Sequence, residues 1–124
     1  MSYELGMSAS AEKPTLTFVI PVKDEEATLA ALFGGIAAEA AKITDAWEVI
    51  FVDDGSADQS WLVMCQLAAQ NREHVKAVRF RYNAGKAAAL AVGWKASMGD
   101  VVFTMDADLQ DDPEEIPRFL EKAS

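Results

Sequence analysis

The sequence predicts an α/β fold with a mostly parallel sheet and helices on its flanks. Three features predict it: four short apolar runs, helix-length segments between them, and polar residues directly after each run. Short, nearly continuous apolar runs are typical of strands that are buried on both faces. Strand–helix alternation indicates a parallel, Rossmann-like sheet with right-handed crossovers.

The elements follow from local patterns. Strands are predicted over 15–20, where Pro21 ends the run, and over 47–52, 75–80 and 101–105. Helices are predicted from Glu25 to Ile43, where apolar residues recur every three or four positions, and over 86–97. A capping box with Ser56 as N-cap and Gln59 at N3 predicts another helix start, and Asp112-Pro113 predicts a last one. Residues 1–13 read as a flexible tail, and residues 14–124 as one unit.

Composition limits the class of protein. The chain has 124 residues, 51% of them hydrophobic, which suits one domain with a hydrophobic core. Its net charge of −9 argues against nucleic acid as a partner. One cysteine and one histidine exclude a disulfide framework and a cysteine-rich zinc site. No apolar run approaches the roughly 18–20 residues that span a bilayer, and there is no signal peptide, so we expect a cytoplasmic domain.

Acidic residues follow the fourth predicted strand. Asp106 and Asp108 alternate on an extended segment, so their side chains point the same way. Two carboxylates in a dry crevice repel each other unless a cation joins them. Mg²⁺ and Mn²⁺ take such oxygen ligands together with substrate phosphates. The pattern therefore predicts a metal site, with a solvated loop as the alternative.

Two further polar clusters follow the second and third strands. Asp53 and Asp54 could accept hydrogen bonds from a nucleotide base or ribose, or they could belong to a plain strand-to-helix turn. The segment that ends in Lys86 resembles the tail of a phosphate-binding P-loop but lacks the motif's first glycine. Arg79, Arg81 and Lys86 could meet phosphates there, or form a solvated basic loop.

Together these stretches resemble the family 2 glycosyltransferases of the GT-A fold, especially the dolichyl- and undecaprenyl-phosphate sugar transferases. The matching segments occur in the family's order: FVIPVKDEEATL, EVIFVDDGSADQSW, VRFRYNAGKAAALAVGWKASMGD and VVFTMDADLQDDPEEIP. The resemblance implies an inverting transfer of a sugar from a UDP- or GDP-linked donor to an acceptor, expected to be a polyprenyl phosphate. It identifies no general base or other catalytic residue.

The resemblance also implies a set of site residues. The nucleotide-sugar ligands would be Pro21, Glu25, Asp53, Asp54, Lys86 and Asp106. The ligands of Mg²⁺ or Mn²⁺ would be Asp106, Asp108 and Gln110. Lys23 departs from the pattern, since many relatives have an aromatic or polar residue there that packs on the base.

Length is the largest departure from the family. The chain matches only the donor-binding part of a GT-A domain, so we expect a truncated fold that binds donor but transfers little sugar alone. The lipid-phosphate acceptor, and a position at the inner face of the membrane, would belong to the full-length protein. An uncovered sheet edge predicts a homodimer. The alternatives are a nucleotide-binding module without activity and a phospho-acceptor domain of the receiver type.

Overall fold

A computed structural model describes residues 16–80, 82–99, 101–105 and 107. Strands and helices alternate strictly through this part of the chain. In chain order they are β1 (Leu16–Val22), α1 (Leu29–Ile43), β2 (Trp47–Asp53), α2 (Ser60–Gln70), β3 (Val75–Arg79), α3 (Lys86–Ala96) and β4 (Val101–Thr104). The tail predicted over 1–13 and the helix predicted from Asp112 lie outside the described residues.

The four strands form one parallel sheet in the order β3-β2-β1-β4. This confirms the predicted fold class. The chain moves outward from β1 to β3 and then returns past β1 to place β4 on the other side. Ligands of open α/β sheets bind outside the carboxyl ends of the strands at such a reversal of strand order. The topology therefore predicts a ligand-binding site at the carboxyl ends of β1 and β4.

Both faces of the central strands are buried. The larger core lies under α1 and includes Phe18, Ile20 and Phe51, while Ile50 and Val52 face the other way and pack with Ala89 of α3. Because side chains alternate along a strand, β1 and β2 need apolar residues at nearly every position. This is why their sequences are continuous apolar runs.

Strand β1 runs two residues past its predicted end and contains Pro21. Val19 accepts a hydrogen bond from the N–H of Met105 (3.2 Å), so the backbone polar groups of Val19 face β4. Pro21 lies two residues further along β1, so its backbone polar groups face the same side. The pairing of β1 with β4 ends at Val19, before Pro21. The missing N–H of proline therefore removes no bond of the sheet.

Helix α2 begins at Ser60, and the capping box predicted at Ser56 is wrong. The Ser56 hydroxyl accepts the N–H of Asp24 at 2.9 Å, a contact between two loops that are far apart in sequence. Asp58 accepts the N–H of Ser60 at 2.8 Å and occupies the turn before the helix. Helix α1 likewise starts later than predicted, at Leu29.

A buried carboxylate joins the strands at the opposite, amino-terminal edge of the sheet. Glu48 accepts hydrogen bonds on one oxygen from the Thr17 hydroxyl (2.7 Å) and the Met98 N–H (2.6 Å). Its other oxygen lies 3.1 Å from Nζ of Lys76. Glu48 thus connects β1, β3 and the turn that precedes β4.

Candidate functional site

A cleft of about 190 Å³ lies at the carboxyl ends of β1 and β4. It sits where the order of the strands reverses. Its walls come from the loops after β1, β2 and β4 and from the start of α3. The lining residues are Pro21, Val22, Lys23, Glu25, Asp54, Lys86 and Ala107.

The structure brings four of the predicted nucleotide-sugar residues together in this cleft. They are Pro21, Glu25, Asp54 and Lys86. Asp106, Asp108 and Gln110 lie outside the described residues. Ala107, the residue between the two aspartates, forms part of the cleft wall.

Asp54 anchors the loop that precedes α3. Its carboxylate accepts the N–H of Ala84 at 2.6 Å and that of Gly85 at 3.0 Å. Gly85 has a φ of +97°, a conformation that glycine adopts without strain. Lys86 follows directly as the first residue of α3, so Asp54 fixes the segment that carries Lys86 to the cleft.

Gly55 allows that loop to come close. A Cβ at position 55 would lie 3.0 Å from the backbone nitrogen of Asn83, and Gly55 has a φ of +78°. Both observations require glycine at this turn. A strand-to-helix turn was one alternative that the sequence left open here, and the structure shows a second loop packed against this turn.

Asp53 is not among the residues that line the cleft. Its side chain is completely buried; Oδ1 accepts the N–H of Ser56 at 3.3 Å. Oδ2 lies 3.4 Å from Nε of Arg79 but makes no hydrogen bond in the described part of the chain. Arg79 also lies over the ring of Trp61, 5.3 Å from its centroid, so its guanidinium faces this carboxylate and the indole.

Hydrogen bonds lock the loop after β1 to the loop after β2. Asp24 has a φ of +54°, which aspartate tolerates better than most residues. Its Oδ1 accepts the N–H groups of Ala57 (2.6 Å) and Asp58 (3.3 Å). Nζ of Lys23 donates to the carbonyl of Gly55 (3.1 Å). The two loops therefore form one rigid rim.

Asp58 extends the same rim. Its carboxylate accepts the N–H groups of Ser60 and Glu26, at 2.8 and 3.2 Å. Burial raises the pKa of Asp58, but the hydrogen bonds from Ser60 and Glu26 outweigh that effect and hold the pKa below its usual value. The N–H of Glu25 is fixed by the Ser60 hydroxyl at 2.8 Å, which sets the backbone of a cleft residue.

Sequence reasoning assigned no role to Asp24, Val22 or Ala107. Val22 and Ala107 lie at the carboxyl ends of strands, and that position alone indicates the cleft. The signal for Asp24 is weak, because its hydrogen-bond partners are about thirty residues away in sequence.

The metal ligands predicted from the sequence fit a hard divalent cation. No group of three or more His, Cys, Asp or Glu side chains that could hold a metal is present among the described residues. Asp106 and Asp108 are the chain neighbours of a residue of the cleft wall. They offer oxygen ligands, which Mg²⁺ and Mn²⁺ prefer, and two carboxylates leave coordination positions for a diphosphate.

Comparison with known proteins identifies the family. The model of "Glycosyl transferase family 2" matches residues 17–124. The chain belongs to glycosyltransferase family 2. Membership favours the sugar-transferase interpretation over a receiver-type domain, whose acids would follow the first and third strands.

Curated proteins are similar to this chain over most of its length. It is 44% identical over 109 residues to the undecaprenyl-phosphate 4-deoxy-4-formamido-L-arabinose transferase of Pectobacterium atrosepticum, covering 88% of this chain and 33% of that protein. The protein of the same name from Pseudomonas aeruginosa PAO1 is 42% identical, with 88% and 32% covered. The chain thus spans about a third of the length of these relatives.

Solved structures of glycosyltransferases share the fold. One is the mannosyltransferase PcManGT from Pyrobaculum calidifontis in complex with GDP-Man and Mn²⁺, with a TM-score of 0.69, 26% identity, and 77% of this chain and 28% of that chain covered. Another is glucosyl-3-phosphoglycerate synthase from Mycobacterium tuberculosis with Mn²⁺, UDP and phosphoglyceric acid (TM-score 0.67, 26% identity, 94% and 40% covered). No helix among the described residues is both long and apolar enough to cross a membrane.

Proposed function

We propose that this chain binds a UDP- or GDP-linked sugar in the cleft, together with Mg²⁺ or Mn²⁺, as the donor side of an inverting glycosyltransferase. The observation that carries the proposal is the cleft itself. It brings Pro21, Glu25, Asp54 and Lys86 together with the residue between Asp106 and Asp108. This happens at the reversal of strand order, where α/β sheets bind nucleotides.

The cleft offers chemistry that suits such a donor. The ammonium of Lys86 would attract the diphosphate, and the carboxylate of Glu25 can accept hydrogen bonds from hydroxyl groups. Asp54 would act by holding the loop before Lys86. Asp53 would act indirectly, because its Oδ1 accepts the N–H of Ser56 in the loop after β2 while its buried Oδ2 is paired with Arg79. At about 190 Å³ the cleft is smaller than the roughly 300–1,000 Å³ of pockets that enclose a ligand, so a nucleotide sugar would extend beyond it.

Asp106 and Asp108 would hold the divalent cation, with Gln110 beside them. The bound cation would neutralise charge that develops on the diphosphate as it leaves. Support comes from the oxygen ligands themselves and from the Mn²⁺ named with the related structures.

The acceptor would be a polyprenyl phosphate, as the names of the curated relatives suggest. An oxygen of its phosphate would attack the anomeric carbon of the sugar. The bond from that carbon to the diphosphate oxygen would break, and the nucleoside diphosphate would leave with the electron pair. Since the attacking phosphate is already anionic, positioning would matter more than a general base.

A lipid acceptor would place the transfer at a membrane surface, and we propose the cytoplasmic face. The homodimer predicted from the sheet edge also stays a prediction. Light scattering at high protein concentration checks it, and a clean monomer would contradict it.

Calorimetry with UDP and with GDP, in Mn²⁺ and in chelator, tests donor binding. We expect at least one nucleotide to bind, and to bind more tightly with Mn²⁺. Asp108→Ala should remove the Mn²⁺ effect, whereas Glu73→Ala, in an exposed turn at the opposite edge of the sheet, should not. Equal affinity in all conditions would refute the metal site.

A transfer assay separates an enzyme from a binding module without activity. It follows radiolabelled sugar from the nucleotide to a polyprenyl phosphate, for this chain and for a full-length relative as positive control. We expect nucleotide binding by this chain with little transfer. Equal transfer by both proteins would show that the acceptor site lies within these 124 residues.

A further inference from the structure

The start of α1 is bonded to the residue that follows β4 in the cleft wall. The hydroxyl of Thr28 donates a hydrogen bond to the carbonyl oxygen of Ala107 at 2.6 Å, across 79 residues of sequence. Ala107 is the middle residue of the Asp106-x-Asp108 pattern. The side chain of the residue just before α1 therefore holds the carbonyl of the residue between the two aspartates.

This use of Thr28 departs from what its position favours. Thr28 is the N-cap of α1, yet its side chain makes no capping bond, although threonine at an N-cap usually bonds a free N–H of the first turn. Its backbone makes the local bonds instead: the N–H donates to Glu25 (3.1 Å), and the carbonyl accepts from Leu32 (3.0 Å). The hydroxyl is left for Ala107.

The hydroxyl has one hydrogen to donate. The shortest of its contacts is the one to Ala107, while the carbonyl and Oε2 of Glu25 lie farther away, at 3.2 and 3.3 Å. We therefore assign the donated bond to Ala107. The contact with Glu25 places Thr28 beside another residue of the cleft.

Fixing the Ala107 carbonyl also fixes the plane of the peptide group to which it belongs. The carbonyl belongs to the planar peptide group that continues into residue 108, so its direction sets how the chain leaves Ala107. Ala107 is 4% exposed and packs in the larger core. Two residues before Ala107, the N–H of Met105 donates a hydrogen bond to the carbonyl of Val19. The segment is thus anchored by β1, by the core and by Thr28.

We propose that Thr28 is a positioning residue for the metal–diphosphate site, acting through the backbone of Ala107. The inference rests on the proposed function. Thr28 touches neither the cation nor the nucleotide. It holds the carbonyl of Ala107, the residue between Asp106 and Asp108, and would in this way favour the binding of one cation by both carboxylates.

Two variants test the proposal. Thr28→Val keeps the shape of the side chain and removes the hydroxyl, and Thr28→Ser restores the hydroxyl. In Mn²⁺, Thr28→Val should weaken nucleotide binding about threefold to tenfold, the equivalent of one hydrogen bond. In chelator its affinity should stay within about twofold of the unmodified chain, and Thr28→Ser should recover the Mn²⁺ effect.

Hydrogen–deuterium exchange of the ligand-free chain gives a second readout. Exchange across residues 103–110 should rise in Thr28→Val and return towards normal in Thr28→Ser. An equal loss of affinity with and without Mn²⁺ would overturn the proposal, because it would indicate a general structural defect. Unchanged exchange in Thr28→Val would overturn it as well.

The outcome also separates this inference from the proposed function. If the unmodified chain binds neither UDP nor GDP in Mn²⁺, the proposed function fails, while the exchange measurement still decides whether Thr28 anchors the segment. If the unmodified chain binds and Thr28→Val binds identically, the inference alone fails.

Discussion

Both carboxylate oxygens of Asp54 accept the backbone N–H of Gly85, each at 3.0 Å. The carboxylate that the sequence assigned to the nucleotide is thus also a structural anchor. It ties the end of β2 to the start of α3, across thirty-one residues. Loss of this anchor should affect folding and ligand binding together.

Asp54→Ala should lower the free energy of unfolding by about 2–3 kcal/mol, because it removes a charged acceptor that the N–H groups of Ala84 and Gly85 share, and only Gly85 has a second acceptor, Oδ1 of Asn83. Asp54→Asn keeps one acceptor oxygen and should cost about 1 kcal/mol. Urea denaturation measures both. Lys42→Gln breaks only an exposed ion pair with Glu39 and should change stability by less than about 0.5 kcal/mol. An unchanged free energy of unfolding in Asp54→Ala would contradict the anchoring role.

The opposite edge of the sheet offers a contrasting carboxylate. Glu48→Ala removes the acceptor of the Thr17 hydroxyl and the Met98 N–H, so we expect a loss of about 2–4 kcal/mol in stability. Nucleotide affinity should not change, because Glu48 lies at the end of the sheet away from the cleft. Denaturation combined with calorimetry on the folded variant checks both statements. A large change in affinity without a change in stability would contradict this separation of roles.

The two central strands could be predicted from sequence because they are buried on both faces and therefore have apolar residues at nearly every position. Residues 47–52 were predicted as a strand, and β2 adds only Asp53. The end of β1 was missed because Pro21 usually stops a strand. Whether its absent N–H matters depends on where the pairing of β4 ends, which no local pattern shows.

The location of the site could be predicted from the sequence, but the roles of its individual residues could not. Strand ends located the cleft, since parallel strands bring their carboxyl ends to one edge. The sequence did not distinguish the position of Asp53 from that of Asp54, although one is buried against Arg79 and the other lines the cleft. Long-range partners decide this difference, as they do for the Ser56 hydroxyl, which bonds Asp24 instead of capping a helix.

Helix α3 approaches β1 closely at Gly93. A Cβ there would clash with Cγ1 of Val19 and lie 3.2 Å from its Cβ. Gly93→Ala should therefore destabilise the protein by about 1–3 kcal/mol through overpacking. Gly34→Ala, in α1 with nothing within 4 Å of the added carbon, should instead stabilise it by up to about 1 kcal/mol. Melting temperatures of the two variants should move in opposite directions, and a shared direction would contradict the close packing of α3 on β1.

Lys86 and Lys95 lie at the two ends of α3, and only Lys86 lines the cleft. If the cleft holds a diphosphate, Lys86→Met should weaken the binding of UDP or GDP about tenfold, because a hydrogen bond between charged groups is lost. Lys95→Met should leave the affinity within about twofold, although it removes the same charge. Calorimetry at two salt concentrations measures both variants. The salt dependence should decrease in Lys86→Met, since fewer charges then meet the diphosphate. Equal losses in the two variants would show that the net charge of the chain, rather than the position of Lys86, controls nucleotide binding.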